Sequence, residues 1–222
     1  MRHLILYTPW NSEGKKDGVE FTGEALAYAT FHRKRGDDCV TIQNPQIPAL
    51  RRPAEVQHII AQAFNEPGVH CAEAKPFDVF AFFGHGTEGW IQTGHTLRKT
   101  IKELAATLAM VLAPDPMIWF AACKTAKDKE KDGVDNFGFL HRLIWELATS
   151  WNMTAHGWGH LTAGHTTRNP HLTCFQGAFR SETADKEDLQ KLKKALWATD
   201  STLRFEIPLC RSFDELEQRI KP

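Results

Sequence analysis

The chain has 222 residues, of which 42% are hydrophobic and 24% are charged, a composition typical of soluble globular proteins. Lysine plus arginine and aspartate plus glutamate number 27 each, so the formal net charge is zero, and nothing in the charge balance favours binding to nucleic acid or to an acidic membrane surface. No apolar run approaches the roughly 18 residues of a membrane span. The five cysteines are widely spaced and form no CxxC pair, which favours a reducing, cytoplasmic location.

Short apolar runs alternate with amphipathic segments along most of the chain. The predicted strands, in chain order, are 4–7, 39–43, 79–83, 117–121 and 153–158. The predicted helices are 20–35, 54–65, 97–112, 137–151 and 185–197, followed by an edge strand at 204–209 and a last helix after a capping box formed by Ser212 and Glu215. Asp115 and Pro116 are expected to separate the third helix from the fourth strand, and Trp151 is expected to face inward from the fourth helix.

This alternation decides the predicted fold class. Strands joined through helices make right-handed crossovers and a mainly parallel sheet. We therefore predict an α/β fold, a three-layer α/β/α sandwich with a mainly parallel central sheet. No internal repeat or linker interrupts the sequence, so a single domain over residues 1–222 is expected, with its core at about 1–160 and a C-terminal extension at about 161–222.

Two predicted strands end on chemically capable side chains. The run at 79–83 leads into His85, and the run at 117–121 leads into Cys123. Both runs are bulky and apolar without alternation, which is typical of strands buried on both faces of a parallel sheet. Ligands of open α/β sheets lie beyond the carboxyl ends of the strands. If these strands are neighbours, about 4.8 Å apart, His85 and Cys123 lie side by side at that edge.

A thiol beside an imidazole is the arrangement of a cysteine nucleophile with its acid–base partner. With an ordinary pKa of about 8.5, a cysteine is only a few per cent thiolate at neutral pH, and a positioned imidazole can take its proton. The Gly86 N–H and the Cys123 N–H are candidate donors to an oxyanion. Taken alone, Cys123 is typical of a core cysteine and His85 of a loop histidine. Their occurrence together, each after a buried strand, favours a catalytic pair.

The two motifs resemble those of the caspase-like superfamily of cysteine peptidases, which includes caspases, metacaspases, clostripain, gingipain, legumain, separase and CHAT proteins. An apolar strand followed by His85-Gly86 precedes, by 38 residues, an apolar strand followed by Ala122-Cys123. The resemblance covers about residues 1–160 and implies a caspase-like (haemoglobinase) fold and a cysteine endopeptidase without a cofactor. It implies that Cys123 attacks the scissile carbonyl, that His85 is the acid–base partner, and that a thioester forms.

The substrate pocket is less well defined by the sequence. Relatives that cleave after arginine or lysine often carry an acid two residues before the cysteine, where this chain has Ala121, and the caspase residues around the cysteine are also absent. Peptide specificity is therefore not carried over. The family builds its first substrate pocket from the ends of central strands and the following loops, which points to Thr8, His156 and Trp158, although core packing explains Trp158 equally well.

The charged loop after Cys123 has three interpretations. Asp128, Glu130 and Asp132 echo the start of a calcium loop, but its twelfth position is Phe139 in place of glutamate. Alternating charge is also typical of a solvated loop, and relatives process themselves in this segment. The histidines at 156, 160, 165 and 171 fit no single helical face, so no metal site is predicted there.

Three classes of function stay open. The first is an active endopeptidase whose partners are a protein or peptide substrate and a pathway partner or regulator. The second is a catalytically silent regulatory or binding module that keeps the fold. The third is another thiol hydrolase or acyl-transfer enzyme. The oligomeric state is left open, with pairing through the predicted edge strand at 204–209 as one route to association.

Overall fold

A seven-stranded sheet forms the centre of the protein in a computed structural model, which describes residues 1–9, 20–44, 53–66, 68, 74–129, 133–163, 172–176, 179–183, 185–198 and 201–220. The strands are β1 Arg2–Tyr7, β2 Asp38–Gln43, β3 Phe77–Phe83, β4 Leu112–Ala121, β5 His156–His160, β6 Leu172–Gln176 and β7 Phe179–Thr183. Their order in the sheet is β2-β1-β3-β4-β5-β6-β7. The first five strands are parallel, and β6 and β7 are antiparallel.

Helices cover both faces of this sheet. They are α1 Glu20–Arg33, α2 Pro53–Asn65, α3 Ile101–Val111, α4 Phe139–Trp151, α5 Lys186–Ala195 and α6 Phe213–Ile220. Helices α2, α3 and α4 pack on one face, while α1, α5, α6 and a 3-10 helix at Leu203–Leu209 pack on the other. The predicted three-layer α/β/α sandwich with a mainly parallel sheet is therefore confirmed.

Strand β3 shows why its sequence is apolar throughout. Phe80 and Phe82 pack into the core under α2, α3 and α4, whereas Val79, Ala81 and Phe83 pack into the core on the opposite face. All five side chains are buried. Because helices cover both faces of the sheet, neither side of this strand selects polar residues, and the alternation seen in half-exposed strands is lost.

The predicted break before the fourth strand is wrong. Strand β4 begins at Leu112 directly after α3 and includes both prolines of this segment. Its pairing with β3 jumps from Leu112 to Met117, so the intervening residues bulge out of the ladder. A proline has no N–H to give to a ladder, and an unpaired bulge is one of the few strand positions that tolerate it. Helix α3 also begins later than predicted, at Ile101.

The C-terminal third departs furthest from the sequence prediction. Strand β5 is displaced to His156–His160, and the β6–β7 hairpin was not predicted. The segment predicted as an edge strand at 204–209 is a 3-10 helix whose Phe205, Ile207 and Pro208 are buried, so this route to association is withdrawn. Trp151, predicted to face inward, is 46% exposed at the end of α4. None of the helices in the described part of the chain has the length and apolar character that crossing a membrane requires.

Candidate active site

His85 and Cys123 follow strands that are direct neighbours in the sheet. The predicted adjacency of these strands is confirmed, since β3 pairs with β4 in parallel and Phe83 lies opposite Ala121. Beyond the strands, the Gly84 N–H still donates to the Ala121 carbonyl at 3.5 Å. His85 and Cys123 each come two residues after that last pair, so they occupy matching positions at the carboxyl edge of the sheet. Both residues are partly exposed.

The backbone of His85 is held on both sides by one glutamine. The His85 N–H donates to Gln92 Oε1 at 3.1 Å, and the Gln92 N–H donates back to the His85 carbonyl at 3.0 Å. The His85 ring meets the Phe21 ring of α1 edge to face, with centroids 4.9 Å apart. The loop that carries His85 is therefore fixed through its backbone, and helix α1 packs against its ring.

A buried polar network lies beneath this loop. Asn44, directly after β2, donates through Nδ2 to Thr8 Oγ1 at 3.0 Å and to the Gln92 carbonyl at 3.1 Å. Asn44, Thr8 and Gln92 are at most 1% exposed. Thr8, predicted to bind substrate, therefore has its hydroxyl in a network that supports the His85 loop. The sequence analysis missed Asn44 and Gln92, although Asn44 follows its strand just as Thr8 follows β1.

Gly86 lets the backbone of the His85 loop pack closely on side chains of the Cys123 turn. A Cβ atom at Gly86 would lie 2.8 Å from Thr125 Cγ2 and 3.1 Å from Ala122 Cβ. Only glycine fits this space without displacing the turn that carries Cys123. Gly86 also forms an antiparallel bridge with Ile91 in which its neighbours make the hydrogen bonds, so the Gly86 N–H is directed away from Ile91.

Cys123 opens a tight turn that is anchored to the end of β5. Lys124 has a φ of 55°, a left-handed conformation that a residue with a side chain adopts only where its surroundings impose it. The Lys124 N–H donates to the Thr162 carbonyl at 3.3 Å, and the Ala126 N–H donates to the His160 carbonyl at 3.1 Å. The chain thus reverses immediately after the thiol, and β5 holds the turn in place.

Cys123 is the most accessible thiol in the described part of the chain. Cys39, Cys174 and Cys210 are buried, whereas Cys123 is partly exposed. Burial raises the pKa of Cys39 and of Cys210 to about 12, so both stay protonated and unreactive at neutral pH. The fifth cysteine, Cys71, lies outside the described residues.

The other two residues predicted to bind substrate lie away from the carboxyl edge of the sheet. His156 begins β5 opposite Met117, four residues or roughly 13 Å below the strand end. Trp158 is fully buried, and its Nε1 donates to the Cys210 carbonyl at 2.7 Å, which matches the core-packing interpretation. The residue that β5 brings to the edge is His160, and substrate binding by His156 and Trp158 stays a prediction.

Asp128 fastens the loop after Cys123 to helix α4. Its Oδ1 accepts a hydrogen bond from the Gly138 N–H at 2.7 Å, and its Oδ2 lies 2.9 Å from His141 Nδ1. Both carboxylate oxygens thus have protein partners. Glu130 and Asp132, the other residues of the predicted calcium or processing loop, lie outside the described residues, so calcium binding and processing stay predictions.

A positively charged cleft lies beside the two loops. A cavity of about 540 Å³ lies between the start of α3 and the segment before α4. Asp135 contributes an acidic side chain to its lining. The basic residues that line it are Arg98, Lys99, Lys102, Lys129 and Arg142. A cavity of about 480 Å³ shares part of this lining and extends to Glu88 and Gly89 of the His85 loop and to Lys127 of the Cys123 loop.

The solved structures to which this chain is similar are distant in sequence. No family model matches the sequence, and no curated protein matches it. The chain is similar to the X-ray structure of a secreted C11 cysteine protease from Bacteroides thetaiotaomicron in complex with an irreversible peptide inhibitor, with 14% identity and a TM-score of 0.45 over 99% of this chain and 57% of that chain. It is also similar to prephenate dehydrogenase from A. aeolicus, with 13% identity and a TM-score of 0.34 over 89% and 56%. The chain spans little more than half of either protein, and at these TM-scores neither likeness decides a function.

Proposed function

We propose that this protein is a cysteine endopeptidase in which Cys123 is the nucleophile and His85 its acid–base partner. The observation that carries the proposal is the register of β3 and β4, which gives His85 and Cys123 matching positions after neighbouring strands. The close packing of Gly86 on Ala122 and Thr125 supports it, as does the partial exposure of Cys123, since the other three cysteines that the structure describes are buried.

In the proposed reaction, the Cys123 thiolate attacks the carbonyl carbon of the scissile peptide bond. The Gly86 and Cys123 N–H groups donate to the oxyanion that develops. The His85 imidazolium then gives its proton to the departing amine, which leaves a thioester on Cys123. A water molecule, losing a proton to His85, hydrolyses the thioester, and the free acid product departs as the thiol is regenerated.

The basic cleft suggests which peptides such an enzyme prefers. Its lysine and arginine side chains lie beside both loops, so acidic residues flanking the scissile bond would be attracted to it. We therefore infer that the substrate is a protein segment with acidic side chains near the cleavage point. This preference concerns the residues that flank the scissile bond and is separate from the residue accepted directly at it.

The experiment that tests the proposed function is cleavage of a mixed peptide library. Wild type, Cys123→Ala and His85→Ala would be compared, each with calcium and with a chelator. The proposal predicts cleavage by wild type that Cys123→Ala abolishes and His85→Ala reduces by about 10²–10⁴-fold. Cleavage unaffected by Cys123→Ala would refute it. Absence of peptide cleavage by wild type would favour a silent binding module, and turnover of small esters alone would favour another thiol hydrolase.

A further inference from the structure

A second cluster of reactive side chains lies at the opposite end of the sheet. His3 is near the start of β1, His32 is in the last turn of α1, and Asp37 directly precedes β2. Both histidines are fully buried, and the Asp37 carboxylate is 15% exposed. His3 pairs with Val79 in the sheet, and Val79 is six residues, or roughly 20 Å, from His85. This cluster is therefore separate from the candidate active site.

The three side chains direct atoms that can bind a metal towards one another. Asp37 Oδ2 lies 3.1 Å from His32 Nδ1 and 3.5 Å from His3 Nε2. These three ligand atoms all lie within 4.8 Å of one another. In a tetrahedral zinc site with bonds of about 2.0–2.1 Å, neighbouring ligand atoms are roughly 3.4 Å apart. The two distances from Asp37 Oδ2, 3.1 Å and 3.5 Å, are therefore close to those around a bound ion.

The proton on His32 leaves a lone pair facing the carboxylate. His32 Nε2 is 3.0 Å from the Phe205 carbonyl, which only accepts hydrogen bonds, so the neutral ring carries its proton there and presents a lone pair from Nδ1 to Asp37. His3 Nε2 is buried and has no hydrogen-bond partner among the described residues. The Met1 ammonium already donates to the other carboxylate oxygen, Asp37 Oδ1, at 2.8 Å. The His32 lone pair therefore faces Asp37 Oδ2, and the two repel one another unless a proton or a cation lies between them.

The remaining atoms of the cluster hold these rings in position. The Tyr28 hydroxyl lies 2.9 Å from His3 Nδ1, and the Phe205 carbonyl holds His32 Nε2. Histidines that bind metals usually have their second ring nitrogen held in this way, by a carbonyl, a carboxylate or water.

We propose that His3, His32 and Asp37 form a binding site for Zn²⁺, with His3 Nε2, His32 Nδ1 and Asp37 Oδ2 as its ligands. Two imidazoles and one carboxylate are a ligand set that suits zinc, and a tetrahedral ion keeps its fourth position for water. The ion would tie the last turn of α1 to the starts of β1 and β2. Since the first turn of α1 carries the Phe21 ring that meets His85, the same helix connects both sites.

The test measures metal binding by the full chain. Cys123→Ala serves as the background, because a thiol beside an imidazole also binds zinc. The chain is stripped with a chelator and titrated with Zn²⁺ by calorimetry and with Co²⁺ by visible absorption. We expect one tight equivalent per chain, the spectrum of a tetrahedral Co²⁺ centre, and a higher Tm with Zn²⁺.

Variants locate the ion. Asp37→Asn keeps the shape of the side chain and is expected to weaken Zn²⁺ binding by at least about 100-fold, because changes outside the ligands already cost about 10–100-fold. Tyr28→Phe leaves all three ligands in place and is expected to weaken binding by about 10–100-fold, so it carries the test if Asp37→Asn does not fold. His58→Gln removes an exposed histidine and should change nothing.

Two results would overturn the proposal. The first is a chain that takes up no tight equivalent, which would mean that a proton bridges His32 and Asp37 in a buried ion pair. The second is tight binding that stays the same in folded Asp37→Asn and Tyr28→Phe, which would place the metal elsewhere. Neither result bears on peptide cleavage, because metal content and Tm are measured in the inactive background.

Discussion

Adding one methyl group at Gly86 should slow peptide cleavage strongly while leaving the protein folded. In Gly86→Ala the new Cβ would lie 2.8 Å from Thr125 Cγ2, roughly 0.7 Å closer than the 3.5 Å at which carbon atoms pack well. The two loops must separate by about that amount, which moves His85 relative to Cys123. A misplacement of about 1 Å can cost about 10²-fold in rate, so kcat should fall by roughly that factor. The free energy of unfolding should fall by only about 1–3 kcal/mol, as is usual for overpacking.

The same loop supplies a matched control. A Cβ at Gly89 would meet only Thr87 Oγ1, at 4.0 Å, so Gly89→Ala should keep nearly full activity. A second variant can restore the rate in Gly86→Ala: Thr125→Ser removes Cγ2 but keeps the hydroxyl that donates to the Ala122 carbonyl at 3.1 Å. Steady-state kinetics on a peptide from the library, together with thermal unfolding, give both readouts.

Two outcomes would refute this reasoning. Full activity in Gly86→Ala would show that the packing of the two loops does not control the reaction. An equal loss in Gly89→Ala would show that flexibility of the His85 loop, and not its contact with Thr125, sets the rate. Failure of Thr125→Ser to restore any activity to Gly86→Ala would point to the remaining 3.1 Å contact with Ala122 Cβ as the main obstacle.

Three further predictions follow from other parts of the structure. Asn44→Ala removes the amide that donates to the buried Thr8 hydroxyl and to the Gln92 carbonyl. The free energy of unfolding should fall by about 1–3 kcal/mol, and steady-state kinetics should show a lower kcat. An unchanged kcat would show that this network does not position His85. Burial lowers the pKa of His95 to about 4, so between about pH 6.5 and pH 4 the unfolded chain binds a proton that the folded chain does not. The free energy of unfolding should therefore fall by about 3 kcal/mol as the pH is lowered through that window. Denaturant titrations should show a smaller loss of stability in acid for His95→Gln, and an identical loss would contradict a buried neutral histidine. Lys99→Gln removes one positive charge from the basic cleft and should reduce kcat/KM for acidic peptides by about fivefold, the equivalent of about 1 kcal/mol for one charge contact in water. Neutral peptides should be unaffected, and equal losses for both kinds of peptide would show that the cleft does not select acidic substrates.

The central part of the fold could be predicted because its sequence signals agree. The runs that became β3 and β4 are apolar on both faces, and only a sheet covered by helices on both sides buries such strands. The positions of His85 and Cys123 after neighbouring strands follow from the same pattern. The hydrogen-bond network of Asn44 and Gln92 that holds the His85 loop could not be predicted, because it depends on loop conformations that the periodicity of the sequence does not encode.

The C-terminal third resisted prediction for a different reason. The segment at 204–209 contains alternating apolar residues that fit a strand as well as a buried 3-10 helix, and tertiary packing of Phe205 and Ile207 decided between them. The three residues of the proposed zinc site are equally hidden, because His3 and His32 are far apart in sequence and match no spaced ligand motif. Only the pairing of β1 with β2 and the packing of α1 bring these residues together.

The most direct test of the central claim is covalent capture of the nucleophile. A peptide carrying an acyloxymethyl ketone, with its sequence taken from the library, would be incubated with wild type, Cys123→Ala and His85→Ala, and adducts would be counted and mapped by mass spectrometry. The account predicts a single adduct on Cys123 in wild type, no adduct in Cys123→Ala, and much slower capture in His85→Ala. Labelling of another cysteine at the same rate, or capture by Cys123 that does not depend on His85, would contradict it.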